Sequence, residues 1–199
     1  MARSTPLRRR LLLFYGYRGL VYFYLWLPVG AAYFTDYRGL SLAQYALIGT
    51  VGWLAMALAE VPTGAMADAL GRRRSLALGA FLHGLGMLGQ GLTGDFAWLV
   101  AFGVLRTLGF SFISGTDHAW LYDSLKADGE ESRYTREAGR AAAVMHAAQG
   151  AASIAGAPLA VYHLAAPLVA TAAVSFVAAL LALRLPELPR VVPAAEGPA

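Results

Sequence analysis

The chain contains no cysteine in 199 residues, so no disulfide and no thiolate metal site can form. It is also poor in charge. Asp, Glu, Lys and Arg make up 14% of it, against about 25% in an average soluble domain. With 58% hydrophobic residues and a mean hydropathy of +0.53, it has too little polar material to cover a soluble core of this length. A bilayer is the solvent that fits. The phosphate-cradling pattern Gly-x-x-x-x-Gly-Lys-Ser/Thr is missing, so no ATP-binding loop of that kind supplies energy. Its four histidines, His83, His118, His146 and His163, are scattered without ligand spacing, so no metal and no cofactor is expected. A membrane serine protease would need Gly-x-Ser-Gly and a distant His. Ser114-Gly115 is preceded by Phe112 rather than Gly, and the sixth apolar run has no His. No enzyme and no catalytic residue is expected.

What is present is apolar sequence in long runs. About 20 residues suffice to cross a bilayer as a helix. Six runs of that order lie near residues 12–35, 42–66, 74–93, 96–121, 140–162 and 165–184. An all-α polytopic membrane protein follows, with a basic N-terminus over 1–11, a helical domain over 12–185, and a proline-rich tail over 186–199. The fifth run is dominated by Ala and Gly, which suits close packing against other helices.

The basic residues are distributed asymmetrically. Alternate ends of the six runs place thirteen of the sixteen on one side, from Arg3 and Arg8 through Arg72 and Arg140 to Arg190. The other side has only Arg38, while Arg18 and Arg106 lie within runs. Both termini are therefore expected in the cytoplasm, in a multi-pass protein of the cell membrane. A pI near 9.6 is explained by this bias and by anionic lipid, and no nucleic-acid partner is expected. A cleaved signal peptide at the start is disfavoured, because its apolar stretch is too long and is broken by Arg18.

The connection between the second and third runs reads "EVPTGAMADALGRRR". A tight hairpin explains part of it. Gly64 would let helices approach, Gly71 would permit the turn, and the arginines would fix the topology. The order Gly64, Asp68, Gly71, Arg72, Arg73, Arg74 resembles the cytoplasmic signature of the major facilitator superfamily, between its second and third transmembrane helices. "SGTDHAWLYDSL", Ser114–Leu125, is similar to a stretch found in a prokaryotic branch of that superfamily. Arg106 with Gly109 resembles its helix-four arginine signature, one residue short in spacing. "GAASIAGAP", ending at Pro158, resembles the glycine–proline signature of its antiporters. The resemblance spans residues 10–185, about the first half of a usual member.

The resemblance implies a fold of two inverted three-helix repeats, equivalent to one six-helix half of the superfamily. It implies a secondary transporter, or half of one, working by alternating access on an ion or substrate gradient. The expected setting is a bacterial inner membrane, the expected ligand a small-molecule substrate. A homodimer or pairing with a second six-helix half would complete the cavity. A non-transporting membrane subunit is the alternative.

Charges at membrane depth need an account, because each is costly unless paired or wetted. At about 1.5 Å per residue, Arg106 lies roughly 15 Å into the fourth run. Helices one and four line the cavity in the superfamily, so Arg106 is the first substrate or coupling candidate; a static buried Arg is the structural alternative. Arg18, Glu60 and Asp117 share a depth and are expected to form one network, either proton-coupled or purely structural. Tyr15, Tyr22 and Trp26 recur at spacings of seven and four, which places them on one helical face, lining a cavity or packed on neighbours. By resemblance, Asp68, Arg72 and Asp123 form a cytoplasmic latch with Gly64, Gly71, Arg73 and Arg74.

Overall fold

The computed structural model describes residues 6–187, so the tail beyond Glu187 lies outside them. Among the described residues the regular structure is helical throughout. The long helices are α1 (Leu7–Val21), α2 (Leu42–Leu70), α3 (Arg72–Leu92), α4 (Phe96–Lys126), α5 (Tyr134–Tyr162) and α6 (Ala166–Ala182). Three of these, α2, α3 and α4, are long and apolar enough to cross a membrane, and α6 is a shorter apolar helix.

Local chemistry sets the helix ends. Ser41 caps α2 by accepting from the Gln44 amide, and the Gln44 side chain returns a bond to the Ser41 amide, a capping box that satisfies otherwise orphaned donors. Asp95 caps α4 through the Trp98 amide at 3.1 Å. Gly71 alone separates α2 from α3. It adopts φ 91°, a region that costs a side chain strain and glycine nothing. Several helices run past the apolar runs that predict them. α2 continues to Leu70, α4 to Lys126, and α5 begins at Tyr134. Polar residues end a hydropathy run without ending a helix.

The first run departs most from expectation. It predicts one helix over 12–35, yet α1 stops at Val21. After turns at 22–26 come a 3₁₀ turn (Leu27–Val29), a short α turn (Gly30–Ala32) and a π turn (Tyr33–Tyr37). Pro28 accounts for part of this, since a helix interior tolerates neither its missing N–H nor its ring. The irregular backbone is sheltered rather than exposed. The Leu25 carbonyl lies against Gly156 of α5, where a methyl group would collide. Non-helical chain at membrane depth is tolerated when buried in protein.

Contacts between connections show that successive helices reverse direction. At one end, Arg10 pairs with Asp128, Arg72 with Asp123, and Arg73 with Glu187. These join the start of α1, the α2–α3 turn, the α4–α5 loop and the segment after α6. At the opposite end, Arg38 donates to the Gly91 carbonyl at 2.9 Å, Tyr33 to that of Gln90 at 2.5 Å, and Tyr37 meets His163 at 3.0 Å.

The centre of the bundle is α3, whose most apolar stretch is 67% buried against 17% for that of α2. Apolar side chains form one cluster toward the basic end, around Phe14, Tyr17, Leu76 and Trp120, with Phe14 stacked on Trp120 at 5.1 Å. A second lies toward the other end, around Tyr33, Ile48, Leu99 and Leu168. Where α3 and α4 cross, a Cβ on Gly79 would stand 2.7 Å from the Gly109 carbonyl, and one on Gly109 would strike the His83 backbone. Gly109→Ala should therefore destabilise the bundle by about 1–3 kcal/mol through overpacking. Gly115→Ala, whose Cβ meets nothing within 4 Å, should be neutral or gain up to about 1 kcal/mol of helix propensity. Denaturant titration of the purified variants checks this. Equal stabilities would refute the close α3–α4 crossing.

Candidate functional site

A cavity of about 480 Å³ opens between the irregular 22–34 segment, α2 and α4. Its wall is largely aromatic, including Tyr24, Trp26, Tyr45, Trp53 and Phe110, with Arg106 the one charged residue. The Arg106 guanidinium stands 5.1 Å from the Trp26 ring centre, a cation–π geometry. No hydrogen bond or ion pair to a described residue engages this guanidinium, and its Nε is shielded from solvent without an acceptor. Trp26 Nε1 is likewise buried and unpartnered. Polar character comes also from Gln90, Thr107 and His83. His83 bonds Ser175 at 3.1 Å and stacks on Tyr24 at 5.2 Å.

Arg18 is answered where Arg106 is not. Its Nη1 lies 2.5 Å from Asp117 Oδ2, with the two residues 4% and 1% exposed. Arg18 also sits over the Tyr22 ring at 5.0 Å and reaches the Met145 sulfur. Tyr22 donates to the same carboxylate oxygen at 3.5 Å and packs on Phe110 and Tyr24 of the cavity wall. The pair is thus one aromatic layer behind the cavity. Asp117 Oδ1 has no hydrogen bond, and the exposed His118 approaches it at 3.9 Å.

Glu60 does not join this network. It is exposed on α2 and lines a separate groove with Thr63, Gly64, Asp68, Ser111 and Ser114. Equal depth on two helices does not fix which way side chains face, and α2 turns Glu60 away from α1. Nor does Gly64 mediate close packing within the chain, since a Cβ there meets nothing within 4 Å; α2 and α4 are joined nearby through Thr63 and Ser111 at 2.8 Å. Tyr15, Tyr22 and Trp26 do not share a helical face, because α1 ends before Tyr22. Tyr15 bonds Glu137 at 2.6 Å, Tyr22 sits on Arg18, and Trp26 on Arg106.

At the basic end Arg72 bridges two acids, Asp68 at 2.9 Å and Asp123 at 3.5 Å. Arg73 pairs with Glu187 at 3.2 Å, and Arg74 is exposed. A second cluster surrounds Glu137, which is fully buried and contacted by Arg133, Arg136, Arg140 and Tyr15. Burial alone would raise its pKa, but bonds from Tyr15, Arg133 and Arg140 outweigh it and hold the carboxyl at about 2. Its ordinary value is 4.5, so the cluster is fully ionised above that pH and loses its stabilisation only as pH falls toward 2. The sequence carried a signal for this cluster. Arg140, three residues after the acid, meets it along α5, and Arg133, four before it, reaches it from the 3₁₀ turn (Glu131–Arg133) that leads into that helix.

Among the described residues the body is all helical, with three helices long and apolar enough to cross a membrane and an open, largely aromatic cavity that has Arg106 on its wall. The family model of the Major Facilitator Superfamily matches residues 11–199, and the chain belongs to that family of transporters. No curated protein and no solved structure matches it.

The buried Arg18–Asp117 pair gives a test by substitution. Asp117→Leu leaves a buried, unpaired guanidinium and should cost about 3–5 kcal/mol, while Arg18→Met combined with Asp117→Leu should recover most of that loss. Denaturant titration of the two single variants and the double variant measures the coupling. Additive losses would show that the two side chains do not act as a pair.

Proposed function

We propose that the chain forms one six-helix body of a secondary transporter, which moves a small molecule across the cell membrane by alternating access. The observation that carries this reading is the open cavity at Arg106, in a member of a transporter family. A static structural arginine would be expected to find an acceptor inside the fold, and among the described residues the Nε of this one finds none.

In this reading α1 with the 22–37 segment supplies the first span and α2 to α6 the other five, as two inverted three-helix repeats. The segments that meet at the basic end carry most of the arginines, which supports a cytoplasmic location for both termini. The Asp68–Arg72–Asp123 bridge then serves as a latch on the cytoplasmic face. Energy comes from an ion or substrate gradient, and the Gly156–Pro158 stretch favours export.

One body lines one wall of a cavity, so alternating access needs a second. The apolar side chains Trp53, Leu54, Leu58 and Val61 on α2 are all exposed, as are Ile154, Val161 and Tyr162 on α5. The covering body is a second copy related by an axis along the membrane normal, or another six-helix half. The small residues of α5 away from Ala141, Ala152 and Gly156 remain open for close helix approach.

The test is counterflow or uptake of labelled compounds in proteoliposomes, alongside mass determination in mild detergent. Wild type should transport only as an assembly of two bodies, and Arg106→Ala should reduce flux at least tenfold, the order expected on losing about 1.4 kcal/mol or more of charge-assisted binding. A monodisperse monomer that transports would contradict the two-body requirement. Unchanged flux in Arg106→Ala would remove Arg106 from the site.

A further inference from the structure

The transport reading leaves open what the cavity takes. We propose that it binds a lipophilic organic carboxylate, whose acid group meets Arg106 and Trp26 and whose apolar body lies among the aromatic side chains. The proposal deepens the transport reading and rests on it for its biological role, although binding itself requires no transport.

Charge is the first argument. Arg106 is the one ionic group on the cavity wall, and no Asp or Glu lines it. The other arginine within an apolar run, Arg18, is neutralised by Asp117 at 2.5 Å. The fold therefore supplies a carboxylate to one arginine and withholds it from the other. A guanidinium in a low-dielectric wall with no counter-ion attracts an anion.

Donor and acceptor balance is the second. Arg106 Nε and Trp26 Nε1 are both buried without an acceptor. A buried donor left unpaired costs about 1–3 kcal/mol, so the site lacks an acceptor rather than another donor. The two residues stand together, with the guanidinium 5.1 Å from the indole centre. A carboxylate has two acceptor oxygens and no donor, which is the complement of this pair. A neutral carbonyl could accept from these donors but would leave the guanidinium charge unanswered, and an ammonium group, which has no acceptor, would meet neither need.

Shape and polarity are the third. The volume, about 480 Å³, falls within the range of about 300–1,000 Å³ typical of small-molecule sites. Tyr24, Phe34, Tyr45, Trp53 and Phe110 present ring surface around it, with Ile48 and Met56 between. Such a wall returns little to a compact hydrophilic ion such as phosphate, and favours a ligand with apolar area to bury.

The experiment uses 4-phenylbutyrate, its neutral analogue 4-phenylbutyramide and its cationic analogue 4-phenylbutylamine. Each is titrated by calorimetry into the full chain in phosphatidylcholine nanodiscs, which add no net lipid charge. The carboxylate should bind saturably, with the amide and amine at least about tenfold weaker. In Arg106→Gln the carboxylate should fall to the level of the amide, and in Arg106→Lys, which keeps the charge but not the planar fork, part of the preference should remain. If Arg106→Gln does not fold, judged by circular dichroism, the wild-type series and Arg106→Lys decide. No carboxylate preference in wild type, or a preference that survives Arg106→Gln, would overturn the proposal; the first is also the result expected if an acid on a second body neutralises Arg106. Carboxylate binding without flux in vesicles would uphold this site and count against the transport reading. Flux of a neutral or cationic compound without carboxylate preference would do the reverse.

Discussion

A charge inside a hydrocarbon slab must be answered, and this requirement organises the molecule. Arg18 and Asp117 meet this demand jointly, and their pairing ties α1 to α4 across 99 residues of sequence. Tyr22 and Met145 complete the enclosure. Because α1 is fixed on α4 in this way, the chain that follows Val21 leaves the helix beside the face of α4 that carries Arg106. Among the described residues the same demand is left unmet at Arg106, which lines the open cavity.

The irregular segment after α1 connects these two arginines. A straight helix over 12–35 would have spaced its aromatics regularly along one stripe. The break at Val21 and the turns through Ala32 instead bring Tyr22 to one arginine and Trp26 to the other. Gly156 makes the break tolerable, since its missing side chain lets α5 close over the Leu25 carbonyl. The cavity wall is thus built partly from non-helical backbone, held in place by a small residue on a helix that comes much later in the chain.

The helical architecture was legible in the sequence because hydropathy runs, caps and the Gly71 turn are local signals. Arg106 as a candidate was legible for a similar reason, since a lone charge in an apolar run is conspicuous. Side-chain direction was not. Depth along a helix placed Glu60 with Arg18 and Asp117, but rotation about the axis turns Glu60 to a different groove. The Gly64 position predicts a packing contact, yet a Cβ there would face open space. The Glu137 cluster has a readable spacing, but its arginines also satisfy the topological charge bias, so a charge count alone does not single it out. Tyr45 and Trp53 entered the cavity only through the crossing of α2 over α4, which no local pattern encodes.

The proposed alternating access requires that the Arg106 cavity be reached from either side of the membrane in turn, with the Arg72 bridge favouring one state. Gly49 lines that cavity and has free space at its Cβ position, and the chain has no cysteine of its own. A Gly49→Cys reporter can therefore be labelled by an impermeant thiol reagent from either face of sealed vesicles. The account predicts labelling from both faces in turn, with Asp68→Asn shifting the balance toward the cytoplasmic face. Labelling from one face only, unmoved by Asp68→Asn, would contradict it.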